Sequence, residues 1–148
     1  MVNWRSKRRR LAVAAAAGLL GVLASCLEPT VGRVDLAGLD APADKKLALP
    51  AGKHLSFAVH TDSYDHSGSN YVLVDVTLLR GGKPVGTMSC RGFEFEGGSG
   101  CGSSATHANS DCAMTVPAGG SDSIRVVATL EDKRNRASLK GLSVYIRD

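Results

Sequence analysis

The chain has 148 residues, room for one domain around one core. Its formal charge is +4, from 18 Lys and Arg against 14 Asp and Glu, but five of the basic residues lie between Arg5 and Arg10. From residue 26 onward there are 13 basic residues and all 14 acids, a net of −1, so a nucleic-acid role, which needs a basic face on the folded domain, loses its main support and no nucleic-acid partner is read.

In chain order, Arg5, Lys7, Arg8, Arg9 and Arg10 form a cluster free of acids, and Leu11 to Ala24 is then apolar and uncharged. That run of about 14 residues would make a helix of roughly 21 Å, against roughly 30 Å of bilayer hydrocarbon. It is short for a permanent span and fits the apolar core of an export signal. The run closes on Leu23-Ala24-Ser25-Cys26, with small residues just before the cysteine.

This arrangement resembles the lipobox of bacterial lipoproteins. The resemblance implies that residues 1–25 are a signal peptide, that Cys26 receives a diacylglyceryl group, and that Cys26 becomes the acylated first residue. Several acyl chains anchor stably where one would be reversible. Lys7-Arg8-Arg9-Arg10-Leu11 resembles a twin-arginine export signal, although general export signals are also Arg-rich. Leu27 stands where an Asp would retain a lipoprotein at the inner membrane. In a Gram-negative cell the resemblance therefore implies the outer membrane.

Residues 26–45 carry Pro29, Gly32, Gly38 and Pro42 and read as a tether, with a first short strand around Val34 and Leu36. Residues 46–148 read as one domain. Leu55, Phe57 and Val59 share one face of a half-buried strand. Thr61–Asn70 is polar and reads as a loop. Tyr71–Leu79 is the strongest strand, with Val72, Val74, Val76 and Leu78 in phase. Gly81-Gly82 supplies a hairpin turn and Val85–Cys90 the return. Phe93 and Phe95 are out of phase with Met88 and Cys90, which places a bulge at Gly92. Gly97–Asp111 is rich in Gly and Ser and reads as a second long loop. Three more strands follow, on Cys112, Met114 and Val116, on Ile124, Val126, Ala128 and Leu130, and on Leu142, Val144 and Ile146.

Short strands between Gly/Pro turns, with no helix after the signal helix, predict an all-β fold. The expected architecture is a single antiparallel β-sandwich of jelly-roll or other Greek-key type. The Cys…Trp…Cys pattern of immunoglobulin domains is absent, since Trp4 lies in the signal.

With Cys26 assigned to lipid, Cys90, Cys112 and Cys101 remain, and an oxidising compartment favours a bridge. Cys90–Cys112 joins two strand positions and would close a loop of about 23 residues, worth roughly 3 kcal/mol in the chain-entropy model. Cys101–Cys112 is the rival pairing. His107 is the histidine nearest these cysteines and has no orienting partner in sequence, so no catalytic thiol is read.

His60, Asp62, Asp65 and His66 mix imidazole and carboxylate in one segment and are the candidate metal ligands. Their spacing matches neither an EF-hand loop nor H-x-x-x-H and reads more simply as a hydrophilic turn. Tyr64, Tyr71 and Tyr145 could stack on sugar rings, but aromatics are only 5% of the chain, few for a binding platform. No cofactor motif and no catalytic residues are read.

The expectation is therefore a lipid-anchored cell-envelope protein acting as a non-catalytic binding or structural module. Its partners would be the membrane through Cys26 and an envelope protein or surface glycan met by Thr61–Asn70 and Gly97–Asp111. A carbohydrate- or calcium-binding module is the alternative, with a hydrolase behind it.

Overall fold

The computed structural model describes residues 30–148, so the stretch expected to be a signal peptide and Cys26 lie outside the described residues. These residues form nine strands and no helix. The strands are β1 (Thr30–Asp35), β2 (Ala43–Leu49), β3 (His54–Ser67), β4 (Asn70–Arg80), β5 (Lys83–Phe95), β6 (Ser99–Thr115), β7 (Ser121–Leu130), β8 (Ala137–Lys140) and β9 (Ser143–Arg147).

They make two antiparallel sheets packed face to face. Sheet A has the order β1-β9-β3-β6, with β8 also paired to β3, and sheet B has the order β2-β7-β4-β5. The pairing is nested: β1 with β9, β2 with β7, β3 with β6, and β4 with β5. A long hairpin folded over on itself in this way is a jelly roll, with β8 and β9 sharing the place of its last strand. Side chains from both inner faces fill the core, including Leu55, Phe57, Val59, Val72, Val74, Val76, Ile124, Val126, Val144 and Ile146.

The alternating runs behave as their period requires. Val72, Val74, Val76 and Leu78 of β4 are buried, as are Ile124, Val126 and Ala128 of β7. Gly81 and Gly82 both have positive φ, 57° and 75°, the backbone that a tight two-residue hairpin turn demands. Val72 pairs with Phe93 and Leu73 with Arg91, which leaves Gly92 as the extra residue of a bulge. A Cβ at Gly92 would collide with the methyl groups of Val59 and Val74, so only glycine lets β5 approach the core there.

Two stretches expected to be loops are strands. Thr61–Asn70 continues β3 through Ser67 before a turn at Gly68, whose φ is 78°. Gly97–Asp111 becomes β6 from Ser99 onward. The two extensions pair with each other, Thr61 with Ala105, Tyr64 with Gly102 and His66 with Gly100. A second difference is β2, which lies partly in the segment read as a tether. Asp44, Lys45 and Lys46 are exposed, so its strand is held by pairing with β7 and not by an apolar stripe.

Sheet A bends at one level across three strands. Val59 faces the core toward Gly92, yet Tyr64, five residues on, also faces it and meets Phe93 and Phe95. In β6 the inward positions change from His107 to Gly102, and across β8 and β9 from Leu142 to Leu139. Strict alternation would put members of each pair on opposite faces. Buried Thr61 sits at the bend with its hydroxyl 2.8 Å from the carbonyls of both Ser63 and Lys140, which share its one hydrogen.

Candidate functional site

The edges of the two sheets, β5 and β6, are stapled by a disulfide between Cys90 and Cys112, with Cα atoms 5.2 Å apart. This selects one of the two pairings left open by the sequence and leaves Cys101 free and exposed. Cys101 stands on β6 opposite Asp65.

Next to the staple lies a cleft of about 350 Å³. One wall is Arg91 to Glu94 of β5, starting one residue after Cys90. The other is His107 to Ser110 of β6, ending two residues before Cys112, and Tyr71 of β4 contributes its ring. The bridge therefore fixes the spacing of the walls at one end. Asn109 ties them again, its Nδ2 donating to the Arg91 carbonyl at 2.9 Å.

The charged groups here are ordered by one another. The Tyr71 hydroxyl donates to Glu94 Oε1 at 2.8 Å. That bond to a carboxylate, with the charge of Glu94 behind it, raises the phenol above its ordinary pKa and keeps it protonated. Arg91 donates through Nε and Nη2 to Glu131 Oε1, at 2.9 and 2.6 Å. These bonds raise the guanidinium pKa further and lay it over the Tyr71 ring, 4.6 Å from the centroid. Behind the cleft the His107 ring packs on Phe93, with centroids 4.2 Å apart.

No protein-family model matches this chain, and no curated protein matches it.

The four candidate metal ligands do not converge. His60 and Asp62 touch, Nε2 to Oδ1 at 3.1 Å, and His60 Nδ1 lies 2.7 Å from Thr106 Oγ1. Asp65 is exposed. His66 instead stacks on Phe95, with centroids 4.9 Å apart. Among the described residues, no three His, Cys, Asp or Glu side chains gather as a metal site would require. The Thr106–His60–Asp62 line has the order of an activated hydroxyl, base and orienting carboxylate. None of the three lines the cleft at Tyr71 or the second one, of about 310 Å³, beside Asp65, His66 and Arg136.

The three tyrosines part company. Tyr64 packs against Phe93 and Phe95 in the upper core. Tyr145 lies on the outer face of sheet A, 5.4 Å beneath the Arg33 guanidinium. Tyr71 alone lines the β5/β6 cleft. Arg91, Glu94 and Asn109 were not legible as site residues, because they come from separate strands and carry no spacing signal. The one pointer was that Arg91 lies between Cys90 and the bulge at Gly92.

Proposed function

We propose that this protein is a lipid-anchored component of a bacterial cell envelope that acts by binding, without catalysis, through the cleft between β5 and β6. The carrying observation is that cleft, whose walls are pinned by the Cys90–Cys112 bridge and lined by ordered polar groups. Walls held in place before a ligand arrives reduce the ordering cost of binding.

The anchor rests on the basic cluster, the apolar run and Leu23-Ala24-Ser25-Cys26. An exported chain meets an oxidising compartment, which agrees with a disulfide. Three residues separate Cys26 from Thr30, so four Cα–Cα steps give a reach of at most about 14 Å. The end of the sandwich bearing Thr30 and its partner Arg147 would then face the bilayer. The opposite end, with the β3–β4 turn and the upper part of the cleft, would face away from it. In a Gram-negative host the outer membrane is the expected location.

Two measurements test this. Intact mass of the protein extracted from membranes should show loss of residues 1–25, acylation at Cys26 and one disulfide, and Cys26→Ala should leave the membrane fraction. A photocrosslinking residue at Ser110 should give adducts in cells that the same residue at Lys46, on the opposite edge, does not. Membrane retention of Cys26→Ala with its leader intact refutes the anchor, and equal adducts from both positions refute the cleft.

A further inference from the structure

The geometry points to an uncharged saccharide as the ligand of the β5/β6 cleft, an inference that rests on reading this domain as a binding module. Charge comes first. Arg91 is the one Lys or Arg lining the cleft, and Glu131 already neutralises it through two hydrogen bonds. Glu94 then leaves the cleft with a surplus negative charge. A phosphate, sulfate or carboxylate ligand would meet that charge without a free cation to offset it.

Hydrogen-bonding capacity comes second. Glu94 uses Oε1 for the Tyr71 hydroxyl, which leaves Oε2 to accept. Asn109 Nδ2 spends one of its two hydrogens on the Arg91 carbonyl, which leaves one to donate. Ser110 and His107 can each donate and accept. This mixture of donors and acceptors within one small cleft suits hydroxyl groups, which do both at once. Its volume of about 350 Å³ is at the small end of the range for small-molecule sites.

Shape comes third. Tyr71 on one wall and His107 on the other are flat rings, the first with the Arg91 guanidinium 4.6 Å from its centroid and the second packed on Phe93 with the two planes tilted by 50°. Flat rings present a face to the C–H side of a pyranose while polar groups meet its hydroxyls. The low aromatic content of the chain is no obstacle, because the fold brings the required rings to one place.

The test is calorimetric titration of the full-length, detergent-solubilised protein with β-1,4-linked tetramers of glucose and of N-acetylglucosamine, and with a sulfated tetrasaccharide. An uncharged tetramer should bind, and Tyr71→Ala and Glu94→Gln should each weaken it about tenfold, the loss of roughly one good hydrogen bond or ring contact. Cys101→Ser, away from the cleft, should bind as the parent does. Melting curves check that each variant is folded. Preference for the sulfated ligand, lost in Tyr71→Ala, overturns the charge inference and leaves the binding role intact. Absence of binding to either uncharged tetramer overturns the saccharide inference, and the crosslinks at Ser110 then decide the binding role separately. Unchanged affinity in both cleft variants overturns the site.

Discussion

The lower and upper halves of sheet A are made of the same strands but are covered in different ways. Below the bend, β3 and β9 each contribute fully buried apolar side chains, with Leu55, Phe57 and Val59 beside Val144 and Ile146. Above it, β3 supplies Tyr64 and His66 and β6 supplies Gly102 and Gly100 directly opposite. A Cβ at Gly102 would collide with the Tyr64 ring, and one at Gly100 would lie 3.1 Å from the His66 ring. Phe93 and Phe95 of β5 complete this cluster of rings. A strand ladder needs only backbone groups, so one partner can carry nearly all the covering volume while the other carries none. The lower half is tied together by many moderate contacts, and the upper half depends on a few rings.

That contrast can be broken most strongly below the bend. Ile146→Ala removes a fully buried side chain from the shared core and should cost about 3 kcal/mol, read as a loss of stability in urea with an unchanged slope. A cost under about 1 kcal/mol would mean that the lower core is loosely packed.

Tyr64→Ala should cost less, roughly 1–2 kcal/mol, because the ring is only half-buried. Its effect should be local. Amide exchange should quicken in Tyr64–Ser67 and Ser99–Gly102 while β4 and β7 keep their protection. Uniform loss of protection would show that the two halves unfold as one unit.

The smallest effect belongs to the sheet B edge remote from both halves, where Arg125 Nε and Nη2 donate to the two oxygens of Asp44 at 2.7 and 2.8 Å. These bonds hold the Asp44 carboxyl below the usual carboxylate range. Its folded pKa is thus lower than its unfolded one. The contribution is present above about pH 4 and is lost as pH falls through the folded value. Arg125→Ala should therefore melt slightly below the parent at pH 6, with the gap closing toward pH 3 and at high salt. A gap that changes neither with salt nor with falling pH would locate the effect in packing along the Arg125 side chain.

Much of the fold could be read from individual residues. Val72 to Leu78, Ile124 to Ala128 and Leu142 to Ile146 each mark a strand because one inward face repeats every second residue. Gly81-Gly82 marks a turn because glycine takes positive φ at little cost, and Gly92 marks a bulge because a Cβ there would meet Val59 and Val74. Ser99–Asn109 could not be read as a strand. Its coverage comes from Tyr64, His66 and Phe93, rings that lie elsewhere in the chain. Asp44–Lys46 was hidden for a related reason, since an edge strand is held by its neighbour's backbone. The cleft was hidden further still, because Tyr71, Arg91 and His107 become neighbours only once β4, β5 and β6 are in place.

By itself the sequence determined the all-β class, the Gly81-Gly82 turn, the Gly92 bulge and most core residues, because these depend on local periodicity and on backbone freedom at single sites. It also carries the basic cluster, apolar run and Leu23-Ala24-Ser25-Cys26, whose resemblance to a lipoprotein signal is the basis of the proposed location. Tertiary structure alone decided the jelly-roll order, the choice of Cys90–Cys112 and the pairing of two polar segments into one extension. These depend on which distant strands lie side by side, and pairing through backbone hydrogen bonds leaves little trace in side-chain identity.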